Sequence, residues 1–190
     1  MIAVVMAGGK ATRFSTRVEK ALLEIRGATL LERAVVALRE GGTSEVVVAA
    51  TRTTEKTRAL ARDLRAEVLV TSGASYHDDV LELLDRYGTF VSLNVDVPFV
   101  RGEHVRSIVQ ERERGSVAAV VPFDLAMGTP DVDSALVDVT GRRMLWVGLN
   151  HVTPNPDNFL KVFEDPLLTI NVNNEEDLAF ARKIAEERGL

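Results

Sequence analysis

Four short apolar runs, separated by stretches of helical length, dominate the first two thirds of the chain and constrain its fold more than any other feature. The first runs from Ile2 through Val4, Val5 and Met6 and stops at Ala7-Gly8-Gly9. Residues 45–50 (EVVVAA), 67–70 (EVLV) and 90–95 (FVSLNV) repeat the pattern. Apolar runs this short, with no polar alternation, suit strands that are covered on both faces. Between them the period becomes helical. Thr29 and Glu32 form a capping box ahead of an apolar face made by Leu30, Leu31, Ala34, Val35 and Leu38, and Gly41-Gly42 ends that helix. Residues 53–64 read as a charged surface helix. Ser75 with Asp78 opens another helix that ends near Tyr87-Gly88, and a further helix fills 102–114 before a strand at 117–121. Strand and helix in alternation predict a parallel sheet with right-handed crossovers. The expected class is α/β: an open, mostly parallel twisted sheet, Rossmann-like, with helices on both faces.

Beyond residue 121 the spacing shortens. Residues 135–139, 144–147 and 167–172 read as strands that include a short antiparallel element in the C-terminal third. A last helix over 174–188 carries Leu178, Ala181 and Ala185 on one face. The most breaker-rich stretch, 153–158 (TPNPDN), is too short for a domain linker, so residues 1–190 read as one domain. A chain of this size buries about 70% of its unfolded surface, leaving about 9,000 Å² exposed, which is enough for a core without staples.

Composition removes several function classes. Cysteine is absent, which excludes disulfides, thiolate nucleophiles and cysteine-based zinc sites, and fits a cytoplasmic setting. A formal net charge of −5 with few aromatics argues against a general nucleic-acid binder. No apolar run approaches the ~20 residues that span a bilayer, and the N-terminus lacks the positive region of a secretory signal.

Open parallel sheets bind ligands outside the carboxyl ends of their strands. The loop after the first strand reads AGGKATR and is followed by Arg17 and Lys20. Paired glycines let backbone N–H groups approach an anion, and Lys10, Arg13, Arg17 and Lys20 can neutralise a triphosphate. A plain turn with solvated basic residues would use the same glycines. Four cations within eleven residues favour the phosphate site. The overall acidity does not oppose this: residues 1–26 hold five basic against two acidic side chains, a net of +3, and the rest of the chain carries −8. The Walker pattern GxxxxGK[ST] and the dinucleotide pattern GxGxxG are both missing, and Thr51 stands where a dehydrogenase would place an acidic residue. After the fourth strand, Asp96 followed by Pro98 suits either a Mg²⁺ ligand facing the phosphates or a cap for the next turn. Asn173 and Asn174 are both candidates for the N-cap of the last helix. Thr71-Ser72-Gly73 could seat a base through backbone groups, or form a simple turn.

MAGGKATRF followed by EKALLEIRG resembles the nucleotidyltransferase signature AGGxGTRx…EKPLxxxxG, shared by sugar-phosphate nucleotidyltransferases, cytidylyltransferases and molybdenum-cofactor guanylyltransferases. Ala11 stands where glycine is usual and Ala21 where proline is usual. The resemblance implies a nucleotide-diphospho-sugar transferase fold in which Arg13 and Lys20 grip the triphosphate. Ala7, Gly8, Gly9, Lys10 and Thr12 would form the loop around it, and Thr51, Thr71, Ser72 and Gly73 would line the nucleoside side. It also implies Mg²⁺ on Asp96, with Asn173 as a second ligand from the closing segment TINVNNEEDL.

A narrower resemblance rests on TSGASYHDDV (71–80), GTPDVD (128–133), Gly148-Leu149-Asn150, Val152-Thr153-Pro154 and the closing residues 169–190. Together these are similar to the archaeal-type adenosylcobinamide-phosphate guanylyltransferases. That implies transfer of GMP from GTP to adenosylcobinamide phosphate by a homodimer, with Lys20, Arg13 and Asp96 catalytic and Asp131, Gly148 and Asn150 on the acceptor. Residues 1–121 would then be the nucleotide-binding half and 122–190 the acceptor-binding and closing half. Molybdopterin guanylyltransferase, or another small-molecule nucleotidyltransferase, is the nearest rival. A non-catalytic nucleotide-binding regulatory module is a rival of another class. His77, His104 and His151 are scattered and read as surface or capping residues. Trp146 and Leu145 read as core or dimer-contact residues.

Overall fold

The computed structural model describes residues 1–9, 14, 18–113, 115–130, 135–138 and 140–190. At its centre lies β1 (Ile2–Met6), whose Ala3, Val4 and Val5 are wholly buried. Its flanks are β4 (Glu45–Ala50) and β6 (Phe90–Asn94), both parallel to it, with Ile2 in register with Glu45 on one side and Phe90 on the other. β5 (Glu67–Val70) adds in parallel beyond β4. The chain thus leaves β1 in opposite directions, to β4 and later to β6, which makes the carboxyl end of β1 the switch point of the sheet.

The other half of the sheet is built differently. β7 (Ser116–Pro122) and the long β9 (Arg143–Val152) are antiparallel, and β9 also runs antiparallel to β6. β8 (Ala135–Val137) pairs with the start of β9, and β10 (Asn158–Val162) runs parallel to β7 at the edge. Among the described residues the sheet order is β10-β7-β9-β6-β1-β4-β5, and a separate two-residue hairpin joins β2 (Glu24–Ile25) to β3 (Ala28–Thr29).

Helices cover both faces. α1 (Leu30–Glu40), α2 (Glu55–Asp63), α4 (Gly102–Gln110) and α5 (Glu175–Arg188) contribute Leu31, Ala61, Ile108 and Ala181 to the larger core, where they meet Ala3 and Val5. α3 (Tyr76–Tyr87) packs Leu83 against Val4 and Phe90 on the opposite face. The period-two alternation of β1 divides its side chains between the two cores. The total accessible surface, 9702 Å², is near the value expected from chain length. No helix among the described residues is long and apolar enough to cross a membrane.

The expected helices and the first five long strands form within a few residues of their anticipated bounds. Thr29 Oγ1 accepts from Glu32 N at 3.1 Å and Thr29 N donates to Glu32 Oε2 at 2.6 Å, so the capping box starts α1 as its sequence directs. Three differences stand out. Residues 167–172 are not a strand. Pro166 opens a 3₁₀ turn, Pro166–Thr169, begun by Asp165 Oδ1 accepting from Leu167 N at 3.0 Å. The strand at 144–147 extends to Val152, so Gly148 and Asn150 lie inside it. Finally, β10 forms directly after the breaker-rich stretch, where the sequence carries no strand signal.

Candidate active site

The carboxyl ends of β1 and β6 face a cleft of about 380 Å³ lined by Gly8, Gly9, Lys20, Tyr76, Asp79 and Asp96. It meets, at Gly73, a second hollow of about 760 Å³ at the ends of β4 and β5, lined by Thr51, Arg52, Arg58, Thr71 and Ser72. Two adjoining hollows at a switch point provide room for a nucleotide along the strand ends. Ala7 itself is buried and donates its N–H to Ala49 O at 2.8 Å, which leaves Gly8 and Gly9 as the residues that open on the cleft. Lys10, Thr12, Arg13, Arg17 and Asp131 lie outside the described residues.

Lys20 is the polar centre of the first cleft. Its Nζ donates to Asp96 Oδ2 at 3.0 Å and to Asn173 Oδ1 at 2.9 Å, although these partners are 76 and 153 residues away in sequence. The Lys20 and Asp96 side chains are only 12% and 24% exposed, so the pair is poorly screened by solvent. Lys20 is placed by a 3₁₀ turn, Lys20–Leu22, and by its neighbour Glu19. The Glu19 carboxylate accepts from Lys56 N at 3.0 Å and from Thr57 N at 2.6 Å, binding the first turn of α2 from outside. A carboxylate is favoured there by the unpaired N–H groups and the helix dipole.

Asn173 reaches the cleft because its neighbour takes the capping role. Asn174 Oδ1 accepts from Asp177 N at 2.9 Å, and Asp177 Oδ2 accepts from Asn173 N and Asn174 N at 2.9 and 3.2 Å. The cap of α5 is therefore Asn174 with Asp177, and the Asn173 amide is left to point at Lys20. The backbone of this segment is held to the end of β6 by Val172 N, which donates to Asp96 O at 2.9 Å. Asp96 and Asn173 offer two hard oxygen donors that converge on one point. That set suits a Mg²⁺-like cation which keeps waters and phosphate oxygens as its other ligands. Among the described residues there is no group of three or more His, Asp or Glu side chains able to hold a metal.

The second hollow contains a turn that depends on glycine. Gly73 has φ +62°, and a Cβ there would sit 2.5 Å from Thr51 Cγ2. Asp79, buried on α3, fixes this turn: its Oδ1 accepts from Gly73 N at 3.1 Å, and its Oδ2 lies beside Gly8. Thr71 is 4% exposed and its buried Oγ1 has no hydrogen-bond partner among the described residues. Thr51 Oγ1 is instead committed to Thr53 and Thr54.

On the β9 side, Gly148 has φ +83°, and the β7–β9 register shifts between Ala118 and Val120. A Cβ at Gly148 would meet Asn94 Nδ2 at 2.7 Å, so the bulge brings the β9 backbone onto the residue that precedes Val95-Asp96. Asn150 Nδ2 donates to Ser92 Oγ at 3.3 Å, and both groups lie near the Tyr76 hydroxyl. The Tyr76 ring is half exposed along the cleft while its hydroxyl end is dehydrated. Burial, opposed by the neighbouring Ser92 and Asn150 side chains and reinforced by the Asp96 charge, raises its pKa above the usual 10. His77 is exposed, and His104, though buried, caps the start of α4 by accepting from Arg101 N at 3.1 Å on Nδ1, as expected of surface or capping residues. His151 departs from that expectation, being buried with its Nδ1–H donating to Gly115 O at 2.9 Å. Trp146 is 42% exposed and so is not a core residue, whereas Leu145 is buried.

Glu19, Asp79 and Tyr76 belong to this site, although their roles are not evident from the sequence. Glu19 lies within the quoted EKALLEIRG, and Tyr76 and Asp79 lie within TSGASYHDDV, but what each does depends on the partner that the fold brings to it.

Residues 3–130 match the family profile described as the MobA-like NTP transferase domain. No curated protein sequence matches. Among solved structures, a nucleotidyl transferase from Methanothermobacter thermautotroptrophicus is similar, with a TM-score of 0.70, 16% identity and 98% of each chain covered. CMP:2-keto-3-deoxy-manno-octonic acid synthetase complexed with CTP is also similar, with a TM-score of 0.67, 14% identity and 98% of each chain covered. At such identities these two likenesses bear on the fold.

Proposed function

The chain belongs to the MobA-like NTP transferase family and has nucleotidyltransferase activity, and from that premise we propose that it transfers GMP from GTP to adenosylcobinamide phosphate. The observation that carries the enzymatic reading is the convergence of Lys20, Asp96 and Asn173 beside Gly8-Gly9 at the switch point of the sheet. The corrinoid acceptor rests on the later sequence segments that resemble that guanylyltransferase family, residues 128–133, 148–150, 152–154 and 169–190, which residues 71–80 also fit.

In this reaction an oxygen of the acceptor phosphate attacks the α-phosphorus of GTP, the bond from that phosphorus to the bridging oxygen breaks, and pyrophosphate leaves with the electron pair. The attacking oxygen is already anionic, so no side chain has to remove a proton. Catalysis then consists of positioning and charge neutralisation. Lys20 would lie against the charge that builds on the α-phosphate, and Arg13 with Lys10 would steady the departing pyrophosphate. Gly8 and Gly9 admit the phosphates close to the backbone, and Thr71, Ser72 and Gly73 would seat the guanosine. Members of the family commonly use a divalent metal; here Asp96 and Asn173 would hold Mg²⁺, which would supply further positive charge to the triphosphate. Residues 122–190, through Asp131, Gly148 and Asn150, would carry the acceptor, and the working form would be a cytoplasmic homodimer.

Pyrophosphate release is the test. With GTP, Mg²⁺ and adenosylcobinamide phosphate the protein should release one pyrophosphate per acceptor consumed, and ATP, CTP and UTP should be poor substitutes. Release with molybdopterin in place of the corrinoid would reassign the acceptor. GTP binding without release for any phosphorylated acceptor would point to a non-catalytic module.

A further inference from the structure

The two oxygens best suited to a divalent cation are both occupied by an ammonium group. Lys20 Nζ lies 3.0 Å from Asp96 Oδ2 and 2.9 Å from Asn173 Oδ1, in a pocket where the lysine is 12% exposed. A Mg²⁺-like ion held by those oxygens at ~2.1 Å would sit close to Nζ, so ammonium and ion oppose each other there by like-charge repulsion. Its turn is fixed from outside through Glu19, whose carboxylate binds the first turn of α2, and beyond that turn the lysine reaches the two oxygens on a four-carbon stem of rotatable bonds.

We propose that in the nucleotide-free protein Lys20 is the resident counter-cation of the Asp96–Asn173 pair, so that lysine and metal compete and the metal enters only together with a triphosphate. This deepens the nucleotidyltransferase reading and rests on its assignment of Asp96 and Asn173 as the cation site. The charge balance drives the exchange. One carboxylate next to one ammonium is neutral, and a divalent ion arriving alone would face an adjacent like charge with nothing to offset it. A triphosphate brings enough negative charge to hold both cations. It draws Nζ onto phosphate oxygens and leaves the two protein oxygens to the ion. The lysine that assists the reaction thereby also keeps the free protein from being loaded with bare metal.

Mn²⁺ binding to the full-length chain, followed by the loss of the free-ion paramagnetic resonance signal, tests this without any turnover. In the absence of nucleotide, Lys20→Met should bind Mn²⁺ at least tenfold more tightly than the wild type. Lys20→Arg, which keeps the charge, should stay within about threefold of wild type, so the gain cannot be ascribed to a disturbed turn. The gain should vanish in Lys20→Met/Asp96→Asn. A non-hydrolysable GTP analogue should restore tight Mn²⁺ binding to the wild type. Equal, Asp96-dependent binding by wild type and Lys20→Met would overturn the competition and leave the cation site standing. Failure of every variant to bind Mn²⁺, even with the GTP analogue, would overturn both.

Discussion

The two sides of the ligand edge are built on different principles. On the β1–β4–β5 side, parallel strands end in glycine- and threonine-rich turns, and each turn contributes residues that are neighbours in sequence: Gly8-Gly9, and Thr71 to Gly73. On the β9 side, one antiparallel strand lies beside β6 in the same sheet, and the bend at Gly148 brings its backbone against Asn94. The first arrangement uses backbone N–H groups and suits a ligand whose phosphates are common to many nucleotides. The second places side chains of β9 such as Asn150 at the cleft, opposite Tyr76 at the start of α3. On the proposed function, this difference would separate the nucleotide chemistry from the choice of acceptor across one sheet.

The seam between the two sides should be the costliest place to cut. Phe90, wholly buried on β6, pairs with Ile2 and with Val152. Phe90→Ala should lower stability by about 3–5 kcal/mol in urea unfolding, and both substrates should lose binding together. If only one side were affected, the two halves would be less coupled than the shared strand implies. At the site itself, Lys20→Ala and Asp96→Ala should each reduce turnover more than 100-fold, about 3 kcal/mol of barrier, with the far-ultraviolet dichroism unchanged. Near-normal turnover in either variant would remove the first cleft from the chemistry.

The two bent glycines separate the sides more finely. Gly73→Ala forces a side chain to φ +62° against Thr51, and Gly148→Ala forces one to φ +83° against Asn94. Each should cost about 1–3 kcal/mol. The first should raise KM for GTP, and the second should raise KM for the acceptor more than for GTP. The same KM pattern in both would collapse the distinction.

The smallest effect lies outside the cleft and serves as a control. Burial, aided by the Arg101 charge and opposed by Asp165 and Glu103, holds His104 below its ordinary pKa of 6.5. The folded protein therefore keeps it neutral where the unfolded chain takes up a proton. Stability should fall as the pH is lowered through 6.5 and level off below the folded pKa. His104→Gln should flatten that slope in thermal melts. At neutral pH it should cost no more than about 1.5 kcal/mol, for the hydrogen bond that Arg101 N donates to His104 Nδ1.

Much of this was legible in the chain because it is encoded locally. Apolar runs between capped helices specify parallel strands, and Thr29 with Glu32, or Ser75 with Asp78, marks a helix start without reference to anything distant. The paired glycines and Lys20 carry their meaning within one loop and turn. Residues 167–172 misled for the opposite reason: an apolar run that reads as a strand is also what a buried turn needs, and Pro166 and Asp165 select the turn. β10 was hidden because an edge strand with one partner needs little apolar signal.

By itself, then, the sequence determined the class of sheet and the residue types available to the chemistry: cations, carboxylates and backbone donors, with no thiol. Which of those residues meet was decided only by the tertiary structure. Asn173 and Asn174 are equivalent helix caps on paper. Asn174 caps, and Asn173 faces Lys20, because Val172 is hydrogen-bonded to the end of β6. Contacts across 76 and 153 residues depend on strand order and register, which no local pattern of side chains expresses.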